Sequence, residues 1–223
     1  MGILLKLNHP NINPLLGMFR DDEGYHMVSP WLENGSVHSC ILNDVSFDGV
    51  KVLLGIAEAL LYLRQNGVVH GDLKLDNVLL SLNGDAKLID FGLAKILRLN
   101  SATSTSMKGA GTVAWQAPEI LNGDPRSTET DVWAFGMVVV EYLTRKPPFW
   151  DAKDSGTIVT RIILKKDRPS RGDVDLEYAP KCWQELWDLA SRCWSQKPSD
   201  RPEMKYIVDY LTEVQEKQNA QTS

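Results

Sequence analysis

The segment His70-Gly71-Asp72-Leu73-Lys74-Leu75-Asp76-Asn77 sets a carboxylate, an amine and an amide close together in the chain. Asp72 can accept a proton, Lys74 can offset the charge of a phosphate, and the Asn77 amide can serve as a neutral ligand to a hard cation. A second carboxylate, Asp90, opens the triplet Asp90-Phe91-Gly92, whose glycine permits an unusual backbone turn. Taken singly, each is weak, because the ordinary fate of a loop aspartate is to be solvated.

The flanking pattern places both segments on loops. From Val50, apolar residues recur at helical spacing through Leu53, Leu54, Ala57, Leu60 and Leu61, and Gly67 stands where a helix C-terminus favours glycine. Short strands over 78–80 and 86–89, with Asn83-Gly84 between them, form a predicted hairpin. Asp72 therefore lies between a long helix and a hairpin, and Asp90 follows directly on a strand end. Upstream, 15–19 and 25–29 read as strands around an Asp21-Asp22-Glu23-Gly24 turn. Downstream, helical patterns cover 128–144, about 155–166, 180–194 and 202–217, and the polar tail from Gln215 is predicted to fray. The class is α+β, a sliver of sheet followed by a mainly helical body.

Composition narrows the partners. The 223 residues carry 24 Lys+Arg against 29 Asp+Glu, a net charge of −5, with 43% hydrophobic and 24% charged residues. This is an ordinary globular chain, neither disordered nor stapled by disulfides. The absence of any basic run argues against nucleic acid or an anionic membrane as partner. Cys40, Cys182 and Cys193 make no CxxC pair, so a reducing cytoplasmic or nuclear setting is the expectation. No apolar run approaches the roughly 18 residues of a spanning helix.

In order, and with Ala117-Pro118-Glu119 further on, these motifs resemble the signature set of the eukaryotic protein kinase family. Gly111-Thr112-Val113-Ala114-Trp115, Asp131-Val132-Trp133-Ala134-Phe135-Gly136, Cys193-Trp194 and Asp200-Arg201-Pro202 extend the likeness over nearly the whole chain. The resemblance implies a protein-kinase-like fold. Residues 1–33 would be a remnant of the N-terminal lobe with the hinge, comprising the end of a helix and two strands, and 34–223 the helical C-terminal lobe. It also implies ATP and Mg²⁺, a protein substrate with a Ser or Thr acceptor, and transfer of the γ-phosphoryl group.

Residue by residue, Asp72 matches the catalytic aspartate that receives or orients the hydroxyl proton, and Asn77 and Asp90 match the two Mg²⁺ ligands. Lys74 resembles the lysine that contacts the transferred phosphate in Ser/Thr-specific members, and Thr112 the residue that couples this loop to the peptide ledge. Segment 27–35 looks like the hinge, where the backbone of Pro30 and Leu32 would bond the adenine edge, with Leu79 under the ring. Glu119 and Arg201 resemble a buried ion pair, and Asp131 a helix residue that anchors the catalytic loop. The wording His9-Pro10-Asn11-Ile12 and Cys193-Trp194 is most similar to the tyrosine-kinase-like group, whose members mostly phosphorylate Ser or Thr.

Two departures stand out. Gly71 replaces the arginine that in the family pairs with an activation-segment phosphate, so activity is expected not to depend on a phosphate docked there. The segment 90–119 nevertheless holds Ser101, Thr103, Ser104, Thr105 and Ser106, either a phosphorylation cluster or a flexible polar loop. Secondly, no GxGxxG precedes the catalytic loop, and the basic residues there, Lys6, Arg20, Lys51 and Arg64, do not sit in a context like the nucleotide-binding strand lysine. By register the family's helix glutamate would fall about one residue before Met1. The expectation is a fragment of a longer kinase or, for this chain alone, a pseudokinase-like interaction module. His9, His26 and His38 show no metal-ligand spacing and are expected to be structural or surface residues.

Overall fold

The computed structural model describes residues 4–22, 24–90, 95–96 and 112–222. Strands β1 (Gly17–Asp21) and β2 (Gly24–Val28) pair antiparallel as the expected hairpin, but their bounds move from 15–19 and 25–29, and Asp21 and Gly24 pair with each other at the ends of the strands instead of lying in the turn. Helix α1 (Val37–Leu42), not anticipated from sequence, is capped by the Ser36 hydroxyl, which accepts from Ser39 N–H at 3.1 Å. Helix α2 (Gly49–Gln65) starts at Asp48, whose carboxylate accepts from Lys51 N–H, and ends at Asn66 ahead of Gly67 at φ +68°.

A two-residue strand β3 (Val68–Val69) leads into the loop that starts at His70 and pairs with β6 (Lys95–Ile96). Between them β4 (Val78–Leu80) and β5 (Ala86–Leu88) form the expected hairpin, Val78 opposite Leu88, with Gly84 in the turn at φ +76°. Residues 11–13 join this layer: Leu88 N–H donates to Asn11 O at 2.8 Å, and Asn13 N–H donates to Leu88 O at 2.9 Å.

The helical body follows: α3 (Pro118–Leu121), α4 (Thr128–Thr144), α5 (Ser155–Ile163), α6 (Trp183–Cys193) and α7 (Met204–Thr222). Helix α4 is buried along almost its entire length because apolar residues fill most of its faces, with Asp131 and Glu141 as buried carboxylates, which puts it at the centre. Its start is closed by a capping box between Ser127 and Thr130. Helix α6 packs on α4 where Gly136 leaves room, since a Cβ there would stand 2.8 Å from Cys193 Cβ and 3.1 Å from Ala190 O. Helix α7 lies against α2, and one apolar core runs from Leu7 and Ile12 through α2 and α4 to Val214.

Several predicted helix boundaries also move for local reasons. Helix α5 ends at Ile163, short of 166, because Lys166 turns to φ +52° and Asp167 N–H closes back on Arg161 O at 2.8 Å. Helix α6 begins at Trp183 rather than 180, after Pro180 and Cys182. The tail predicted to fray is helical to Thr222: Gln, Glu, Lys and Ala are good helix formers, and Gln218 reaches the Cys182 sulfur at 3.0 Å. Ser101, Thr103, Ser104, Thr105 and Ser106, read as a phosphorylation cluster or a flexible polar loop, lie outside the described residues together with Phe91, Gly92 and Gly111. No helix among the described residues is long and apolar enough to cross a membrane.

Candidate active site

The loop His70 to Asn77 hangs from α4. Asp131, in the first turn of that helix, is buried, and its two carboxylate oxygens accept from consecutive backbone N–H groups: His70 N–H at 2.8 Å and Gly71 N–H at 2.9 Å. Burial pushes this carboxyl above the usual carboxylate range, while the nearby His70, the two N–H donors and Arg126 pull the other way. The resemblance had given Asp131 this anchoring place. Gly71 sits at φ +81°, where a side chain would be strained, and its carbonyl accepts from Arg126 Nε at 2.9 Å. Both backbone groups of Gly71 are thus held by side chains from the start of α4.

His70 is fully buried and orders the backbone of Asp72, two residues on. Its Nε2 lies 3.0 Å from Ile89 O, a pure acceptor, so Nε2 carries the proton and Nδ1 is free to accept from Asp72 N–H at 3.3 Å. Asn77 then closes the loop: its Nδ2 donates to Asp72 O at 2.7 Å and to Asp72 Oδ2 at 3.2 Å. The other oxygen, Asp72 Oδ1, is buried and has no hydrogen-bond partner among the described residues. A buried acceptor without a donor is uncommon and marks a place where an incoming hydroxyl would be welcome.

Because Asn77 spends its amide N–H groups on Asp72, its oxygen is the atom left for a cation. Ile89 N–H donates to Asn77 O at 3.0 Å, which brings the end of β5 beside Asn77 and sets Asp90 next along the chain at φ +59°. An amide oxygen and a carboxylate are the donor types that Mg²⁺ takes, so these residues fit that ion. Lys74 is half-buried ahead of the single turn Leu75–Asn77 and bonds no carboxylate among the described residues.

The far end of the loop is also fixed from α4. Glu141, buried, accepts at Oε2 from Leu75 N–H at 3.2 Å and Trp115 Nε1–H at 3.0 Å, and its Oε1 lies 3.2 Å from His38 Nδ1. Burial raises the Glu141 carboxyl, and the bond to Glu141 raises the His38 imidazole. Asp131 and Glu141 stand about 15 Å apart along one rigid helix, from ten steps at 1.5 Å each. The helix therefore sets the span of the loop.

The expected hinge residues fall on the chain between β2 and α1. Proline has no N–H, so Pro30 offers only its carbonyl, which already accepts from Asn13 Nδ2 at 3.1 Å and keeps a second lone pair. Leu32 O accepts from Gly35 N–H at 3.2 Å. Leu79 bridges Ser36, and Leu80 N–H donates to Gly35 O at 3.0 Å, so Leu79 lies directly beside this connection. The Glu119–Arg201 pair is formed in full: Nη1–Oε1 at 2.5 Å and Nη2–Oε2 at 2.8 Å, with further bonds from Arg201 to Glu129 O and Ser195 O. It joins α3 to the turn before α7. Thr112 has its backbone in the turn Thr112–Trp115, and its side chain lies outside the described residues.

Sequence reasoning missed Arg126, Glu141 and Asn13. Glu141 carried a signal, a lone carboxylate inside the apolar run Met137 to Leu143; Arg126 and Asn13 carried none.

Comparison with known proteins finds relatives along most of the chain. The chain is 31% identical over 211 residues to mitogen-activated protein kinase kinase kinase 12 of Rattus norvegicus, covering 93% of this chain and 22% of that protein. It is 30% identical over 219 residues to the RGS domain-containing serine/threonine-protein kinase A of Dictyostelium discoideum, 96% of this chain and 18% of that one. Mitogen-activated protein kinase kinase kinase 13 of Mus musculus is 32% identical over 216 residues, 93% of this chain and 21% of that protein. The chain thus spans about a fifth of the length of these curated relatives. The family model for the protein kinase domain matches residues 1–211, and the chain belongs to the protein kinase domain family.

Proposed function

We propose that this chain is the acceptor side of a Ser/Thr protein kinase, with 1–33 the remainder of a smaller lobe and hinge and 34–223 the larger lobe. Asp72 is the catalytic base. In the reaction the acceptor oxygen forms a bond to the γ-phosphorus of ATP, the bond to the β–γ bridging oxygen breaks, ADP leaves with that electron pair, and the hydroxyl proton passes to Asp72 Oδ1. Asn77 orients the carboxylate by holding its other oxygen, and His70 holds the backbone of Asp72. Lys74 balances the transferred phosphate. Asn77 Oδ1 and Asp90 would hold Mg²⁺, which when bound supplies charge neutralisation on the phosphates. The carbonyl of Pro30 and the backbone of Leu32 would meet the adenine edge over Leu79. The observation that carries this reading is the buried Asp72 Oδ1, unpartnered among the described residues, in a loop clamped at both ends by α4.

Lys74 points to Ser or Thr as acceptor, and the tyrosine-kinase-like wording agrees with it. Incubating the chain with Mg-ATP labelled at the γ-position and a generic protein substrate, followed by phosphoamino-acid analysis, tests this. Label on Ser and Thr is expected, and label confined to Tyr would overturn the acceptor assignment.

A second reading, a pseudokinase-like interaction module, is favoured by one observation. Residues 1–69 hold no GxGxxG, and Lys51 is committed elsewhere, 2.8 Å from Asp85 and 3.0 Å from Asn83 O. The grip on the phosphates is therefore weak, and transfer by the 223-residue chain is expected to be slower by orders of magnitude than with those groups supplied. Complete absence of transfer would favour the module.

A further inference from the structure

His38, Asp76 and Glu141 come from α1, the catalytic loop and α4, far apart in sequence, yet their ligand atoms all lie within 4.8 Å of one another. Spacing along the chain could not reveal this convergence. Glu141 is held as a metal ligand is held by its surroundings: Leu75 N–H and Trp115 Nε1–H both donate to Oε2, which leaves Oε1 turned towards His38. The His38 Nδ1 to Glu141 Oε1 distance is 3.2 Å. That matches the edge of a tetrahedron whose centre is about 2.0 Å from each corner, the bond length of Zn²⁺ to imidazole and carboxylate. Asp76 is exposed and free to adjust, and no Lys or Arg forms an ion pair with Asp76 or Glu141 among the described residues.

We infer that His38 Nδ1, Asp76 and Glu141 Oε1 form a binding site for one divalent transition-metal ion of the zinc type, with solvent at the remaining position. The imidazole selects against Mg²⁺ and Ca²⁺, which prefer oxygen throughout. The ion would replace the proton shared by His38 and Glu141 and fasten α1, the catalytic loop next to Lys74 and Asn77, and α4 at one point. This site does not depend on the phosphoryl-transfer reading, because its readout is metal binding.

The experiment is titration of the metal-stripped 223-residue chain with Zn²⁺ in the presence of excess Mg²⁺, by calorimetry and thermal unfolding, and with Co²⁺ by visible absorption. One equivalent is expected to bind, to raise Tm by about 3 °C or more and, with Co²⁺, to give the intense visible bands of a tetrahedral centre. His38→Ala and Asp76→Ala, both at accessible positions that leave the core intact, should weaken binding at least tenfold and abolish the Co²⁺ bands. His26→Ala, on the β1–β2 hairpin, should change nothing. Equal binding by wild type and His38→Ala, or equal loss in His26→Ala, would overturn the site, as would no saturable binding.

Discussion

Asp131→Asn isolates the suspension of the His70 to Asn77 loop from α4. The side chain keeps its shape, but one of its two acceptor oxygens becomes an NH₂ group facing a backbone N–H at His70 or Gly71. Both bonds are charge-assisted, at 2.8 and 2.9 Å, and buried. One such bond, worth about 1.5–3 kcal/mol, is lost outright and leaves an unsatisfied N–H, and the other weakens to a neutral bond. Against this, the substitution removes the burial of a charge, which holds the Asp131 carboxyl high. The balance is a destabilisation of about 2–4 kcal/mol, a fall of about 1–2 M in urea midpoint at an m-value near 2 kcal/mol/M. Tryptophan fluorescence during urea unfolding reads it. Arg126→Met should couple to Asp131→Asn, because both residues hold Gly71. A midpoint shift under about 0.2 M, or strict additivity with Arg126→Met, would refute the reasoning.

Three further outcomes follow from the packing and charges. Gly136→Ala puts a Cβ 2.8 Å from Cys193 Cβ at the α4–α6 crossing, so a loss of about 1–3 kcal/mol is expected in the same unfolding assay. Arg201→Met strands the Glu119 carboxylate and two carbonyls in a site where Arg201 has 0% side-chain exposure; about 3–5 kcal/mol should be lost, and wild-type stability would contradict it. The Lys51 hydrogen bond lowers the Asp85 carboxyl below its ordinary 3.8, so its contribution is present above that value and disappears as pH falls through the folded one. Because the pair is largely exposed, the effect is small. Wild type should begin to lose its margin over Lys51→Met as pH falls towards 3.8 and go on losing it below that value, and a constant margin would count against the pair.

Much of the frame was legible because the signals are local. The α2 periodicity, the Asn83-Gly84 turn and the apolar 128–144 run each encode one element, and each forms as read. The order of Asp72, Asp90 and Glu119 exposed the family, which the comparisons support independently. What stayed hidden depends on tertiary convergence. His38 carries no meaning until α1 brings it to Glu141, and Asn13 none until it reaches Pro30 O. Arg126 became readable only once Gly71 presented a carbonyl to it. The helix running to Thr222 shows the opposite error, since polarity was taken for disorder where helix propensity and contact with Cys182 decide.

The central claim is that Asp72 performs chemistry, and the ratio of phosphoryl transfer by wild type to that by Asp72→Asn tests it most directly. The amide keeps the loop bonds that shape it but cannot take the hydroxyl proton, so transfer to Ser or Thr from Mg-ATP should fall by about 10²–10⁴-fold while thermal stability stays near wild type. Equal transfer by the two proteins, at whatever absolute rate, would contradict the claim.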